Sequence, residues 1–147
     1  LHVIDSLQLV LVHAGLFPGI PLYKQPKSVC RAQMIHPFYP GSTKWWGEDA
    51  KLLGFGGKTE EGRVKEGWER WYKVHDHEQH VIFGHSTFAQ PFIYQNNGYG
   101  MTIGVDTGSC FGGSVTACIF DTNGINSFVS IKCKKLYYPD AYRSFLE

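Results

Sequence analysis

The chain has 147 residues, 43% of them apolar and 18% charged, and its 14 basic and 13 acidic side chains leave a formal net charge of +1. That length suits one domain able to bury roughly two thirds of its unfolded surface, and the charge balance excludes the basic footprint of a duplex-nucleic-acid or anionic-membrane binder. No apolar run approaches the ~20 residues a membrane-spanning helix needs.

In chain order, LHVIDSLQLVLV has neither the basic start nor the cleavage site of a signal peptide, and with Leu1 in first place it reads as a chain entered in mid-domain. Val10–Val12 is a buried strand by its continuous β-branched run, and it ends on His13. LFPGIPLYKQPK, punctuated by Pro18, Pro21 and Pro26, is an irregular connection. The polar and aromatic stretch centred on HPFYPGSTKWWGED reads as an irregular insertion over residues 27–58.

From Glu60 onward, Val64, Trp68, Trp71 and Val74 fall near helical spacing and predict a helix. Gly62 and Gly67 weaken it by about 1 kcal/mol each relative to Ala. Trp68 and Trp71 are expected in the core, not stacked on a base. HDHEQH, residues 75–80, looks like a metal cluster, but a solvated loop whose histidines do not converge is the expectation. Val81–Phe83 is a second buried strand, running into Gly84 and His85.

The remainder is strands: FIYQ, MTIGVDTG, SVTACIF and INSFVSIK, separated by NNGYG, CFGG and DTNG, of which DTNG signals a hairpin. Cys30, Cys110, Cys118 and Cys133 lack any C-x-x-C pair, so they read as reduced core thiols of a cytoplasmic protein. The expected class is mixed α/β (α+β), with a largely antiparallel tail.

Twice, then, the chain drives a buried strand to its end and places an imidazole there. In open α/β sheets ligands collect beyond the carboxyl ends of strands, and a neutral imidazole is a ready ligand for Zn, Mn or Fe. VHAGLFPG, FGHS and GVDTGSCFGGSVTACIF, in that order from about Leu9 to Phe120, resemble the C-terminal half of calcineurin-like metallophosphoesterases. Within them the pattern is most similar to the bacterial-type diadenosine tetraphosphatase branch, related to protein Ser/Thr phosphatases.

The resemblance implies the C-terminal portion of a single metallophosphoesterase domain, a β-sandwich flanked by helices. It also implies a phosphohydrolase with two divalent metal ions (Mn, Fe, Zn or Mg), in which His13 and His85 are ligands of one ion. Such a pair of ions, about 3.5–4 Å apart, activates water and clamps the phosphoryl oxygens without a covalent intermediate. Dinucleoside polyphosphates are the implied substrates. The alternatives are a protein Ser/Thr phosphatase and a catalytically dead pseudophosphatase acting as a binding module.

The family also carries G-D-x-H-G, G-D-x-x-D-R-G and G-N-H-E/D motifs, yet this sequence has no Gly-Asp and no Asn-His dipeptide. The expected partners are therefore a nucleotide or phosphoester substrate and the missing N-terminal half of the domain, with no membrane and no duplex nucleic acid. No catalytic residue is expected in this chain, which alone should be inactive. In VCRAQMIHPF, Arg31 is the candidate substrate-binding arginine. Asp106, in the DTG motif, is read as a turn-capping residue outside the site.

Overall fold

In the computed structural model, which describes residues 1–25, 34–35 and 69–137, the two histidine-tipped runs are strands lying side by side. β1 (His2–Ile4), β2 (Leu9–Val12), β5 (His80–Phe83), β6 (Phe92–Tyr94) and β7 (Thr102–Gly104) form one five-stranded sheet in the order β1-β2-β5-β7-β6. β2 pairs with β5 in parallel, from Leu9↔His80 to Val12↔Phe83, and β5 pairs with β7 in parallel as well. β1 and β6 close the two edges in antiparallel fashion.

The apolar runs of β2 and β5 suit strands in the parallel part of a sheet, although Leu11 on the second face of β2 is exposed. On one face Val10, Val12, Val81 and Phe83 pack with Leu16, Phe17, Ile20, Trp71 and Tyr72 in a single buried cluster. On the other, the His80 ring meets Phe120 at 5.5 Å, which brings in a second sheet.

That sheet runs β10-β9-β8 and consists of β8 (Asp106–Thr107), β9 (Ser114–Asp121) and β10 (Gly124–Lys132). DTNG makes the expected hairpin: Asp121 pairs with Gly124, Asp121 Oδ1 accepts the Asn123 N–H at 2.7 Å, and Gly124 takes φ 105°. Two cross-strand hydroxyl contacts bind the three strands, Thr107 to Thr116 at 2.6 Å and Thr116 to Ser130 at 2.7 Å. The GG of the DTGSCFGG motif also has a physical reason, because a Cβ on Gly113 would overlap the Thr107 carbonyl. On the outward face of the hairpin Val115, Ile119, Val129 and Ile131 are exposed.

The class is mixed α/β with sheets dominating, as the sequence led us to expect. The helix expected from Glu60 is not what residues 69–74 form. Glu69–Arg70 is a short strand, β4, paired with Met34–Ile35 (β3), and Trp71–Lys73 is one 3-10 turn. Pairing of Glu69–Arg70 with Met34–Ile35 takes the backbone N-terminal to Trp71 into a sheet, so no helix runs through it. Trp71 is core as expected, fully buried with its ring edge-on to Phe83 at 4.9 Å. Of the 27–58 stretch only Met34–Ile35 is described; Val64, Trp68 and Arg31 lie outside the described residues. Among the described residues no helix is long and apolar enough to cross a membrane.

Candidate functional site

Because β2 and β5 are parallel and in register, they end level with one another at Val12 and Phe83. The next residues are tied together, Gly84 N–H donating to the His13 carbonyl at 3.0 Å. The two imidazoles then stand with ring centroids 4.7 Å apart, tilted by 45°, and both residues are exposed. Two rings bound to one ion at about 2.0–2.1 Å per nitrogen in cis positions hold their centroids about 4.5–5.5 Å apart. The observed spacing fits that arrangement. Ala14, Gly15 and Leu16, which follow His13 in sequence, are buried.

His85 has φ 64°, one of two non-glycine residues with positive φ among those described. Left-handed backbone costs a residue with a Cβ roughly 1–2 kcal/mol and persists where the surroundings impose it, often at functional sites. Here Ser86 N–H donates to the Gly84 carbonyl across His85 at 2.7 Å, the i→i+2 bond of a γ-turn. The turn lifts the ring off the strand end toward His13. Although His85 is exposed overall, partial burial of its ring, and then the neighbouring His13, lower its pKa, while the Asp106 carboxylate works the other way. The net result favours a neutral ring, the form that has a lone pair for a metal.

Two donors do not make a coordination shell. Among the described residues no group of three or more His, Cys, Asp or Glu side chains could hold a metal ion. Asp106 does cap its turn, Oδ1 accepting the Gly108 N–H at 3.1 Å. What the sequence did not reveal is its nearness to the histidine loop, since the pairing of β5 with β7 places it there. The left-handed turn at His85 carried no signal either, because no glycine or asparagine marks the position.

The HDHEQH segment departs from its expected solvation. His75 is 4% exposed, and its ring stands edge-on to Trp71 at 6.2 Å and 5.4 Å from His77. Its Nε2 is paired with the Gln79 carbonyl at 3.1 Å, and burial drives its pKa down to about 4. Asp76 Oδ2 accepts the Gly19 N–H at 2.6 Å, fastening the LFPG turn that follows His13. His80 turns away to accept the Met101 N–H on Nδ1. The segment is thus a packed strut beneath the sheet. The sequence hid this because the anchoring contacts, Gly19 and Trp71, come from other parts of the chain.

No family model matches the chain, and no curated protein matches it. Among solved structures it is similar to the crystal structure of a "putative diadenosine tetraphosphatase", with a TM-score of 0.54 and 21% sequence identity over 88% of this chain and 48% of that one. At that identity the likeness is one of fold, and the chain spans about half the length of its neighbour. What the two share is a mixed α/β fold dominated by sheets.

Proposed function

We propose that this chain supplies part of a two-metal phosphohydrolase centre, with His13 and His85 as ligands of one divalent ion (Mn, Fe, Zn or Mg). The intact protein then hydrolyses phosphoanhydride or phosphoester bonds, and dinucleoside polyphosphates of the diadenosine tetraphosphate kind are its substrate class. The observation that carries this reading is the meeting of two imidazoles, 4.7 Å apart, at the carboxyl ends of adjacent parallel strands. The family motif has these histidines in the same order, and the neighbouring fold, which carries the name of a diadenosine tetraphosphatase, supports the same direction.

The chain's own contribution is positional. The Gly84–His13 backbone bond sets the spacing of the rings, the γ-turn presents His85, and partial burial beside His13 lowers the His85 pKa. Bound divalent ions would supply Lewis-acid activation of water and charge neutralisation at the phosphoryl oxygens. The remaining ligands and the bridging carboxylate belong, in this reading, to the N-terminal half of the domain, so the 147 residues alone are inactive. Arg31 is the candidate for the substrate phosphate, since a guanidinium can bind phosphate in bidentate fashion.

The lack of a third metal-ligating side chain among the described residues favours one competing reading, a binding module without turnover. The test is turnover by the full-length protein on a chromogenic ester, a phosphopeptide and diadenosine tetraphosphate, with Mn²⁺ and with chelator. Metal-dependent cleavage of the dinucleotide is the expected result. Chelator-resistant turnover would sink the metal reading, and cleavage of the phosphopeptide alone would move the protein to the Ser/Thr phosphatases. Ion binding with no turnover on any of the three would leave the binding module.

A further inference from the structure

The outward face of the β9–β10 hairpin is apolar and bare. The register sets Ile131 opposite Val115, Val129 opposite Ala117 and Ser127 opposite Ile119, and alternation along a strand puts all six on one side. Ile131 is 70% and Val115 61% exposed, and Ala117, Ile119 and Val129 are exposed as well. The other side of the hairpin is the one that meets the first sheet, through Phe120. Contiguous apolar surface left bare on a folded chain marks an interaction site.

The two ends of this face are unlike. Between Ser114 and Lys132 the only charged side chains are Asp121, at the turn, and Lys132, at the far end. Just past Lys132 a hollow of about 370 Å³ opens beside Val115, lined also by Cys133, Lys134, Lys135 and Tyr137. Cys133 N–H donates to the Gly113 carbonyl at 2.9 Å, which fixes the hollow to the start of β9. One end is thus basic and concave, the other an acidic turn. Asp121 and Gly113 each lie four residues from Ala117, so turn and hollow stand equally far, about 13 Å, from the middle of the face.

From this arrangement we propose that the outward face is a self-association surface, on which a second copy packs face to face about a two-fold axis through the Ala117–Val129 pair. An axis lying across the strands reverses one copy end for end. The acidic turn of each copy then meets the basic hollow of the other, Ile131 sits over the small Ser127, and Val115 over Ile119. Packing without the reversal would set lysines on lysines and turn on turn. The contact is the same patch on both copies and therefore closes as a dimer. The face and its hollow bury on the order of 1,200 Å² over the two copies, near the lower end for a specific interface. The inference does not depend on the metal reading, since the face turns away from the sheet that carries His13 and His85.

The test is sedimentation velocity on the full-length protein across the micromolar range, with circular dichroism to check that each variant is folded. We expect a monomer–dimer equilibrium within that range. Ile131→Lys, at an exposed position, should weaken it at least about tenfold. Asp121→Lys makes both ends of the face basic, and Lys134→Glu with Lys135→Glu makes both acidic. Each of these proteins alone should be a monomer, and an equimolar mixture should recover a one-to-one dimer. Asp121 also caps its turn, so if its variant misfolds, Ile131→Lys decides. A monomer throughout the range in the unsubstituted protein overturns the proposal, because something other than a second copy then covers the face. A dimer indifferent to Ile131→Lys overturns it as well, since the contact lies elsewhere. Folded charge variants that fail to pair in the mixture overturn the end-for-end arrangement.

Discussion

Two histidine pairs in this molecule share an internal geometry and differ in everything around it. His13 and His85 lie 4.7 Å apart and His75 and His77 lie 5.4 Å apart, both tilted by 45°. The first pair stands exposed where two parallel strands stop, with a left-handed backbone presenting one ring. In the second, the His75 ring is wedged against Trp71 and its Nε2 is committed to a backbone carbonyl. Spacing alone therefore does not decide what a histidine pair does; exposure at a strand end or burial beneath the sheet separates these two.

The largest expected effect concerns turnover in the full-length protein. His13→Ala and His85→Ala should each lower it on the order of a hundredfold or more, and the double substitution should do little further harm, because ligands of one ion act as a unit. His77→Ala should leave turnover near its starting value. Multiplying effects at positions 13 and 85, or a large loss at 77, would reverse the comparison.

Stability should show the opposite ranking. His75 folds with its pKa lowered from 6.5 to about 4 by burial, so the unfolded chain binds the proton more readily. Stability contributed by the neutral ring is complete above about pH 6.5 and is lost as the pH falls toward 4. The integrated loss approaches about 3 kcal/mol. Chemical denaturation at pH 7 and pH 4.5 measures it, and a flat profile would mean that the ring is not sealed.

At neutral pH His75→Ala should cost about 2 kcal/mol, through the lost bond to Gln79 and the void beside Trp71. It should also flatten the acid limb, while Co²⁺ binding at the other pair is unaffected. The smallest effect is expected at His85→Gly. Relief of the left-handed backbone, offset by glycine's unfolded-state entropy, should raise stability by about 0.5 kcal/mol while ion binding is lost. Destabilisation there would show that the γ-turn is not strained.

What the sequence disclosed and what it concealed follow one physical divide. Strands whose evidence is local were legible: the apolar runs at Val10–Val12 and Val81–Phe83, and the DTNG turn between β9 and β10. Their parallel pairing, a contact between distant parts of the chain, came from the structure. The 69–74 segment differs from the helix that the spacing of Trp71 and Val74 predicts, because Glu69–Arg70 pairs with the distant Met34–Ile35. Asp106 was legible as a turn cap and illegible as a neighbour of His85, because its proximity is made by sheet pairing and leaves no mark on adjacent residues. The same holds for His75, whose sealing depends on a tryptophan ring packed edge-on against it.

The separation of β2 and β5 along the chain has a kinetic consequence. Leu9 and its partner His80 are about 70 residues apart, whereas two residues join β9 to β10. By the logarithmic cost of loop closure, bringing β2 to β5 is dearer than closing the hairpin by about 3 kcal/mol. A hairpin of this kind forms within about 1–10 μs, long before so distant a pairing. The His13–His85 spacing thus belongs to a late stage of folding, since it exists only once the parallel register does. An ion needing both rings has nothing to bind on a half-folded chain. It would act as a latch on the finished sheet, slowing unfolding without hastening the approach of the strands.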